Sequence, residues 1–266
     1  MLKILVPIDF SESSKKALSY ALTLGEKTKI NVYMLHVTTV PSRSGTKLIH
    51  KMRELAKDED RSMVDSQTNT FISGIKGISD LNQITIIRYG DVSKQIINVS
   101  LQEDFDLIVM GTKGVSRIKE AFMGSNTYST LKLSMIPTIV VPMVYDANKT
   151  TKKACIALRV NKLYGNMCAK LLEKSILLGY EPELMTVVDN KSDELALTVK
   201  MQRKSYPIYM AKNPRPRRAI LEYITANNSG ILALNFNAYS FFKELTYHSV
   251  SSEFTFRSKI PILFMR

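Results

Sequence analysis

The chain of 266 residues has only two cysteines, Cys155 and Cys168, and three histidines. Two cysteines make no disulfide framework, and no Cys/His cluster has the spacing of a zinc site. No stretch approaches the ~18 consecutive apolar residues of a membrane-spanning helix. No basic-then-apolar leader stands before the first strand pattern, so a reducing cytoplasm is the expected compartment and no membrane partner is expected. Two well-known phosphate loops are also missing: neither G-x-x-x-x-G-K-S/T nor G-x-G-x-x-G occurs. There is no RNA-binding signature or helix-turn-helix pattern either, which argues against nucleic acid as a partner.

What is present is an ordinary globular composition, 45% apolar and 23% charged, in a chain long enough for one large or two small domains. Charge is uneven. Residues 1–150 carry 19 basic and 15 acidic residues, net +4, whereas 151–266 carry 18 and 9, net +9. The densest basic run, Lys212-Asn-Pro-Arg-Pro-Arg-Arg218, reads as a solvated surface patch rather than an anion site.

An internal repeat divides the chain. Lys3-Ile-Leu-Val-Pro-Ile-Asp9 aligns with Lys153-Ala-Cys-Ile-Ala-Leu-Arg159, and Met135-Ile-Pro-Thr-Ile-Val140 with Lys259-Ile-Pro-Ile-Leu-Phe264. In the first half, apolar runs predict strands near 3–8, 30–37, 83–89, 106–110 and 138–142, with helices near 13–25, 46–73, 92–103 and 125–134. The second half repeats the strands near 153–158, 183–188, 206–211, 231–235 and 261–265, with a shorter connection, Asp189 to Ser205, between its second and third. Strand and helix in alternation predict an α/β fold, a parallel sheet with helices on both faces. The polar stretch Asp146–Thr151 is the join. An apolar last strand in each half, Thr138–Val141 and Pro261–Met265, is an edge that invites pairing, and the two edges are expected to meet within the chain.

The most informative segment is 110–127, MGTKGVSRIKEAFMGSNT. The run Asp106–Met110 reads as a buried strand and Ser125–Ser134 as the start of a helix, with Gly111, Gly114 and Gly124 between. A helix start leaves backbone N–H groups without partners at the positive end of its dipole, and glycine lets a phosphate approach them. The first strand ends in Pro7 and Asp9, followed by a helix that Ser11 or Ser13 could cap. A carboxylate at the carboxyl end of a central strand sits where doubly wound sheets take ligands, and it can accept hydrogen bonds from ribose hydroxyls. Capping of the next helix is the other role open to Asp9. His36 reads as a satisfied histidine at a strand end.

The spacing G-x2-G-x9-G-S, together with the strand ending in Asp9, resembles the ATP-binding signature of the universal stress protein family. The resemblance runs over nearly the whole chain, more strongly in the first half. It implies two tandem domains, 1–145 and 152–266, each a doubly wound, parallel five-stranded sheet of strand order 3-2-1-4-5, the adenine nucleotide alpha hydrolase-like fold. It also implies ATP, with Mg2+, at the switch point between strands 1 and 4 of the first domain. Carried onto this sequence, adenine meets Pro7, Ile8 and the backbone of Val37, ribose meets Asp9 and Gly111, phosphates lie on Gly114, Gly124, Ser125, Asn126 and Thr127, and Met110 is a further nucleotide-binding residue. Lys113 stands where the family often has His, and Val92 where it often has Pro. In the second half Arg159, Asn235, Ala238 and His248 replace Asp9, Gly111, Gly114 and Gly124, so that domain is expected not to bind ATP in the family manner.

No candidate general base is placed beside the loop by sequence, and Lys113, Arg117 and Lys119 could screen phosphate charge without chemistry. The resemblance implies a role in stress resistance, with ATP hydrolysis slow or absent. The alternative is a non-catalytic interaction scaffold with a vestigial site. Single-domain relatives form dimers, so the tandem chain is expected to form that pair internally; a further homo-oligomer stays open.

Overall fold

The computed structural model describes residues 1–26, 28–38, 61–75, 77–78, 84–112, 124–146, 151–159, 163, 165–188, 198–201, 204–213, 215–236 and 258–266. In the first half β1 (Leu2–Ile8), α1 (Glu12–Gly25), β2 (Ile30–Thr38), a helix over residues 61–72 (α2), β3 (Ile84–Tyr89), α3 (Val92–Gln102), β4 (Leu107–Gly111), α4 (Ser125–Leu133) and β5 (Thr138–Val141) follow in order. The second half has β6 (Lys153–Ala157), α5 (Asn166–Leu177), β7 (Glu181–Val188), β8 (Thr198–Met201), β9 (Lys204–Lys212), α6 (Pro216–Ala226), β10 (Ile231–Asn235) and β11 (Ile262–Met265).

The strands form one sheet in the order β3-β2-β1-β4-β5-β11-β10-β6-β7-β9-β8. Each half thus has the expected 3-2-1-4-5 core, parallel throughout. One feature differs from five strands per half, and the expected meeting of the two edges is observed. β8 is an additional strand, paired antiparallel with β9 at the outer edge. The two halves also share one sheet, because β5 and β11 pair antiparallel, Ile139 opposite Leu263. With parallel strands inside each half and an antiparallel seam, the carboxyl ends of the two half-sheets face opposite ends of the molecule.

Alternating side chains of the same strands feed cores on both faces, as a doubly covered parallel sheet requires. Ile4, Val6, Leu107 and Val109 join α1, α2 and α5 on one face. Leu5, Ile108 and Met110 join α3 on the other. Leu131 of α4, Val140, Phe264 and Ile224 of α6 form the third cluster, which crosses the seam. On the α1 face a second contact crosses it: the Tyr20 and Tyr180 hydroxyls are 3.0 Å apart and fully inside the protein, and Tyr145 meets Tyr20 edge-on at 5.4 Å.

The repeat recurs as main-chain geometry. Asp106 N–H donates to the Lys3 carbonyl and Gly230 N–H to that of Lys153. Thr112 N–H donates to Val141 and Phe236 N–H to Met265. Before each seam strand a serine folds back on itself: Ser134 exchanges hydrogen bonds with the main chain of Ile136, and Ser258 with that of Ile260. These matches place Arg159 opposite the Asp9 position and Asn235 opposite Gly111.

Candidate functional site

The β1–β4 ladder is short. It holds Ile4↔Leu107 and Leu5↔Ile108 and then stops, while both strands run on for three more residues. Pro7, which has no N–H to give, lies beyond the last of these pairs and costs the ladder nothing there. The strands part because the chain leaves β1 towards β2 and leaves β4 towards β5, which opens a crevice at their carboxyl ends. It encloses about 270 Å³ and is lined by Pro7, Ile8, Asp9, Ser14, Leu35, Val37, Val92, Met110, Gly111, Gly124, Ser125, Asn126 and Thr127. Ten of the eleven residues singled out in the sequence therefore line one cavity. Gly114 lies outside the described residues, as do Lys113, Arg117 and Lys119.

One side of the crevice is apolar: Pro7 and Ile8 of β1, Leu35 and Val37 of β2, Val92 at the start of α3 and Met110 of β4. Val37 lies one residue past the last β1–β2 pair, Ile8↔His36. The bend after β1 is held tightly. His36 Nδ1 is 3.1 Å from the Ile8 carbonyl, which can only accept, so Nδ1 carries the proton. Phe10 takes a left-handed backbone, φ 60°, and its ring lies against His36 and Phe71.

Asp9 is exposed and uses Oδ1 for the Ser11 N–H, at 3.2 Å, and the Ser11 hydroxyl, at 2.5 Å. Ser11 itself is the N-cap of α1, accepting from Ser14 N–H. Asp9 thus supports the cap with one oxygen and does not replace it. Its Oδ2 has no hydrogen bond among the described residues.

The start of α4 also lines the crevice. The helices α1 and α3 have side-chain caps, Ser11 and Asp91, but the α4 N-cap is Gly124 and carries none. The first main-chain bond of α4 is Tyr128 N–H to the Gly124 carbonyl. The N–H groups of Ser125, Asn126 and Thr127 have no acceptor among the described residues, at the positive end of the helix dipole. The Gly124 N–H is not one of them, since it donates to Thr112 O at 2.6 Å. What Gly124 offers a ligand is a bare Cα. Gly111 serves packing: a Cβ there would lie 2.2 Å from Ser13 Oγ and 2.5 Å from the Ser13 carbonyl oxygen, so α1 could not approach β4 with any other residue at this place.

A model of the universal stress protein family matches residues 1–142, more than half of the chain. This chain belongs to the universal stress protein family. Universal stress protein YxiE of Bacillus subtilis is 30% identical over 145 residues, covering 52% of this chain and 97% of that protein. Universal stress protein MJ0577 of Methanocaldococcus jannaschii is 28% identical over 153 residues, covering 52% and 93%. A crystal structure of a universal stress protein from Archaeoglobus fulgidus matches 99% of this chain and 98% of its own, with a TM-score of 0.67 at 19% identity, a likeness of fold. The single-domain length of the first two relatives and the full-length match of the third agree with a tandem of two universal stress protein folds.

Ser14, Leu35 and Val92 line the crevice without having been singled out as site residues. Leu35 was within reach of the sequence, because it stands two residues before Val37 and so shares its face of β2. Ser14 and Val92 are first-turn helix residues, and only the tertiary approach of α1 and α3 to the strand ends brings them in. In the second half Arg159 is exposed beyond β6 and Asn235 ends β10. Ala238 and His248 lie outside the described residues.

Proposed function

We propose that this universal stress protein binds an adenine nucleotide, ATP, in the crevice of its first half and serves a stress response through the bound state rather than through turnover. The observation that carries the reading is that groups of opposite polarity and an apolar surface line one crevice. Three N–H groups without an acceptor among the described residues stand with a helix dipole at the start of α4, and a carboxylate whose Oδ2 has no hydrogen bond among the described residues stands after β1. The first arrangement suits phosphate and repels nothing negative; the second suits a pair of ribose hydroxyls. The apolar residues of the same lining suit a purine ring, which the ribose joins to the phosphates.

Among the described lining residues Asp9 is the one ionisable side chain. It belongs to the ribose end, so it is badly placed to activate water at a terminal phosphate. Nor do the described residues hold any group of three or more His, Cys, Asp or Glu that could seat a metal. Mg2+ would therefore arrive as the companion of the phosphates, which supply oxygen ligands themselves. No described helix is long and apolar enough to cross a membrane. The domain limits 1–145 and 152–266 are part of the same proposal, with the second domain bound to the first through the seam and carrying no ATP.

Isothermal titration of the full chain with ATP and Mg2+, next to nucleotide extraction from freshly purified protein, tests this. Saturable binding that Asp9→Ala weakens supports it. Absence of both binding and retained nucleotide would leave a non-catalytic interaction scaffold as the better reading.

A further inference from the structure

The amides at the start of α4 are useful to a ligand only if they stand at a fixed distance from the Asp9 end of the crevice. Among the described residues, two hydrogen bonds to successive carbonyls at the end of β4 set that distance. Gly124 N–H donates to Thr112 O, and the Thr127 hydroxyl donates to Gly111 O at 2.9 Å. The first holds the N-cap of the helix and the second its third residue, so together they fix both position and direction of the first turn. Gly111 is itself clamped from the other side by Ser13 of α1, at a separation that admits no Cβ. α1, which begins beside Asp9, β4 and α4 therefore meet at one residue beneath the crevice.

Thr127 is 5% exposed and lines the cavity. Its hydroxyl has one proton, and that proton is committed to Gly111. It cannot also be given to a phosphate. We infer that Thr127 is a positioning residue: its side chain ties the phosphate end of the crevice to the ribose end, and so sets the phosphate-dependent part of nucleotide affinity without touching phosphate through its hydroxyl. The inference rests on the proposed nucleotide reading and specifies how the site is held.

The test compares ATP with adenosine on the full chain, for wild type, Thr127→Val and Thr127→Ser, by calorimetric titration. Valine keeps nearly the same volume and removes the hydroxyl; serine keeps the hydroxyl and removes a methyl group. In the wild type ATP should bind more tightly than adenosine. Thr127→Val should lose ATP affinity by about tenfold or more, the size of one hydrogen bond to a charged group, with adenosine affinity changed by less than about twofold. Thr127→Ser should hold the wild-type ratio. Should the valine variant not fold, Thr127→Ala removes the same hydroxyl without setting a methyl group against the Gly111 carbonyl, and the same ratio is read from it. A ratio unchanged in the hydroxyl-free variants overturns the inference while leaving ATP binding in place, and so does a ratio lost equally in the serine variant. A wild type that binds neither ligand, or both equally, overturns the proposed function and this inference with it.

Discussion

Two glycines of the same loop motif do different physical work. Gly111 is required because the main chain of Ser13 occupies the space where its side chain would stand, whereas Gly124 has φ −55° and ψ 142°, a backbone that any residue adopts. Gly111→Ala therefore forces α1 away from β4. It should lower stability by about 1–3 kcal/mol, the usual range for overpacking a tight contact, read as a reduced urea midpoint. Full wild-type stability in that variant would show that α1 can retreat without cost. Sequence alone marked both glycines as candidates, and it could not separate them, because the contact of Gly111 is with a residue almost a hundred positions away. Asp9 was ambiguous in the same way. The geometry puts Oδ1 on Ser11 and leaves Oδ2 without a hydrogen bond among the described residues.

Of the three helices whose first turns line the crevice, α1 and α3 have side-chain caps and α4 has none. Asp91 caps α3 by accepting from Lys94 N–H at 2.9 Å and from the Ser93 hydroxyl at 2.8 Å, and these bonds, the main-chain one first, hold its carboxyl below the ordinary value of 3.8. Removing it in Asp91→Ala should cost about 1 kcal/mol. Since the folded carboxyl is depressed, its contribution is whole above the ordinary value and fades as pH falls through the folded one. The stability gap between wild type and Asp91→Ala should thus be present at pH 7 and narrow as pH falls below the ordinary value of 3.8; a gap that widens on acidification would contradict the capping role.

The opposite change at α4 should separate stability from binding. Gly124→Asp supplies the missing cap and should raise stability by at most a few tenths of a kcal/mol, yet its carboxylate takes the amides and repels phosphate. Thermal melting and ATP titration on the same preparation check both halves of that expectation. Strands were the most legible elements, since buried parallel strands are apolar runs. β8 was not legible, because four residues are too few to show a period and an antiparallel edge strand falls outside the strand–helix alternation. The expected helix over 46–73 is described only from residue 61.

At the scale of the molecule the seam decides the architecture. Every residue of β5 and β11 is buried, and β5 would be an open, apolar edge without β11. Truncation after Ile260 should expose that edge and drive dimerisation or aggregation, visible by light scattering; a soluble chain of unchanged mass would show that the seam is dispensable. The tyrosine contact gives a quieter test of the same union. Tyr180→Phe leaves the Tyr20 hydroxyl without its partner in a buried setting and should cost about 1–3 kcal/mol, whereas Tyr20→Phe with Tyr180→Phe should cost less than the sum of the single changes. The meeting of the two edges was legible in the repeat, because each half ends on an apolar strand that nothing else in its half can cover. The tyrosine contact was not, since Tyr20 and Tyr180 are 160 residues apart in sequence.

The pseudo-symmetric pairing also gives the chain two crevice positions at opposite ends and, on this account, one working site, because Asp9 and Gly111 are answered by Arg159 and Asn235. The most direct measurement is the stoichiometry of ATP binding to the intact chain by calorimetric titration in Mg2+. One site per chain, lost in Gly124→Asp and untouched by Asn235→Ala, is the predicted result. Two sites per chain, or binding that survives Gly124→Asp at full strength, would contradict the account.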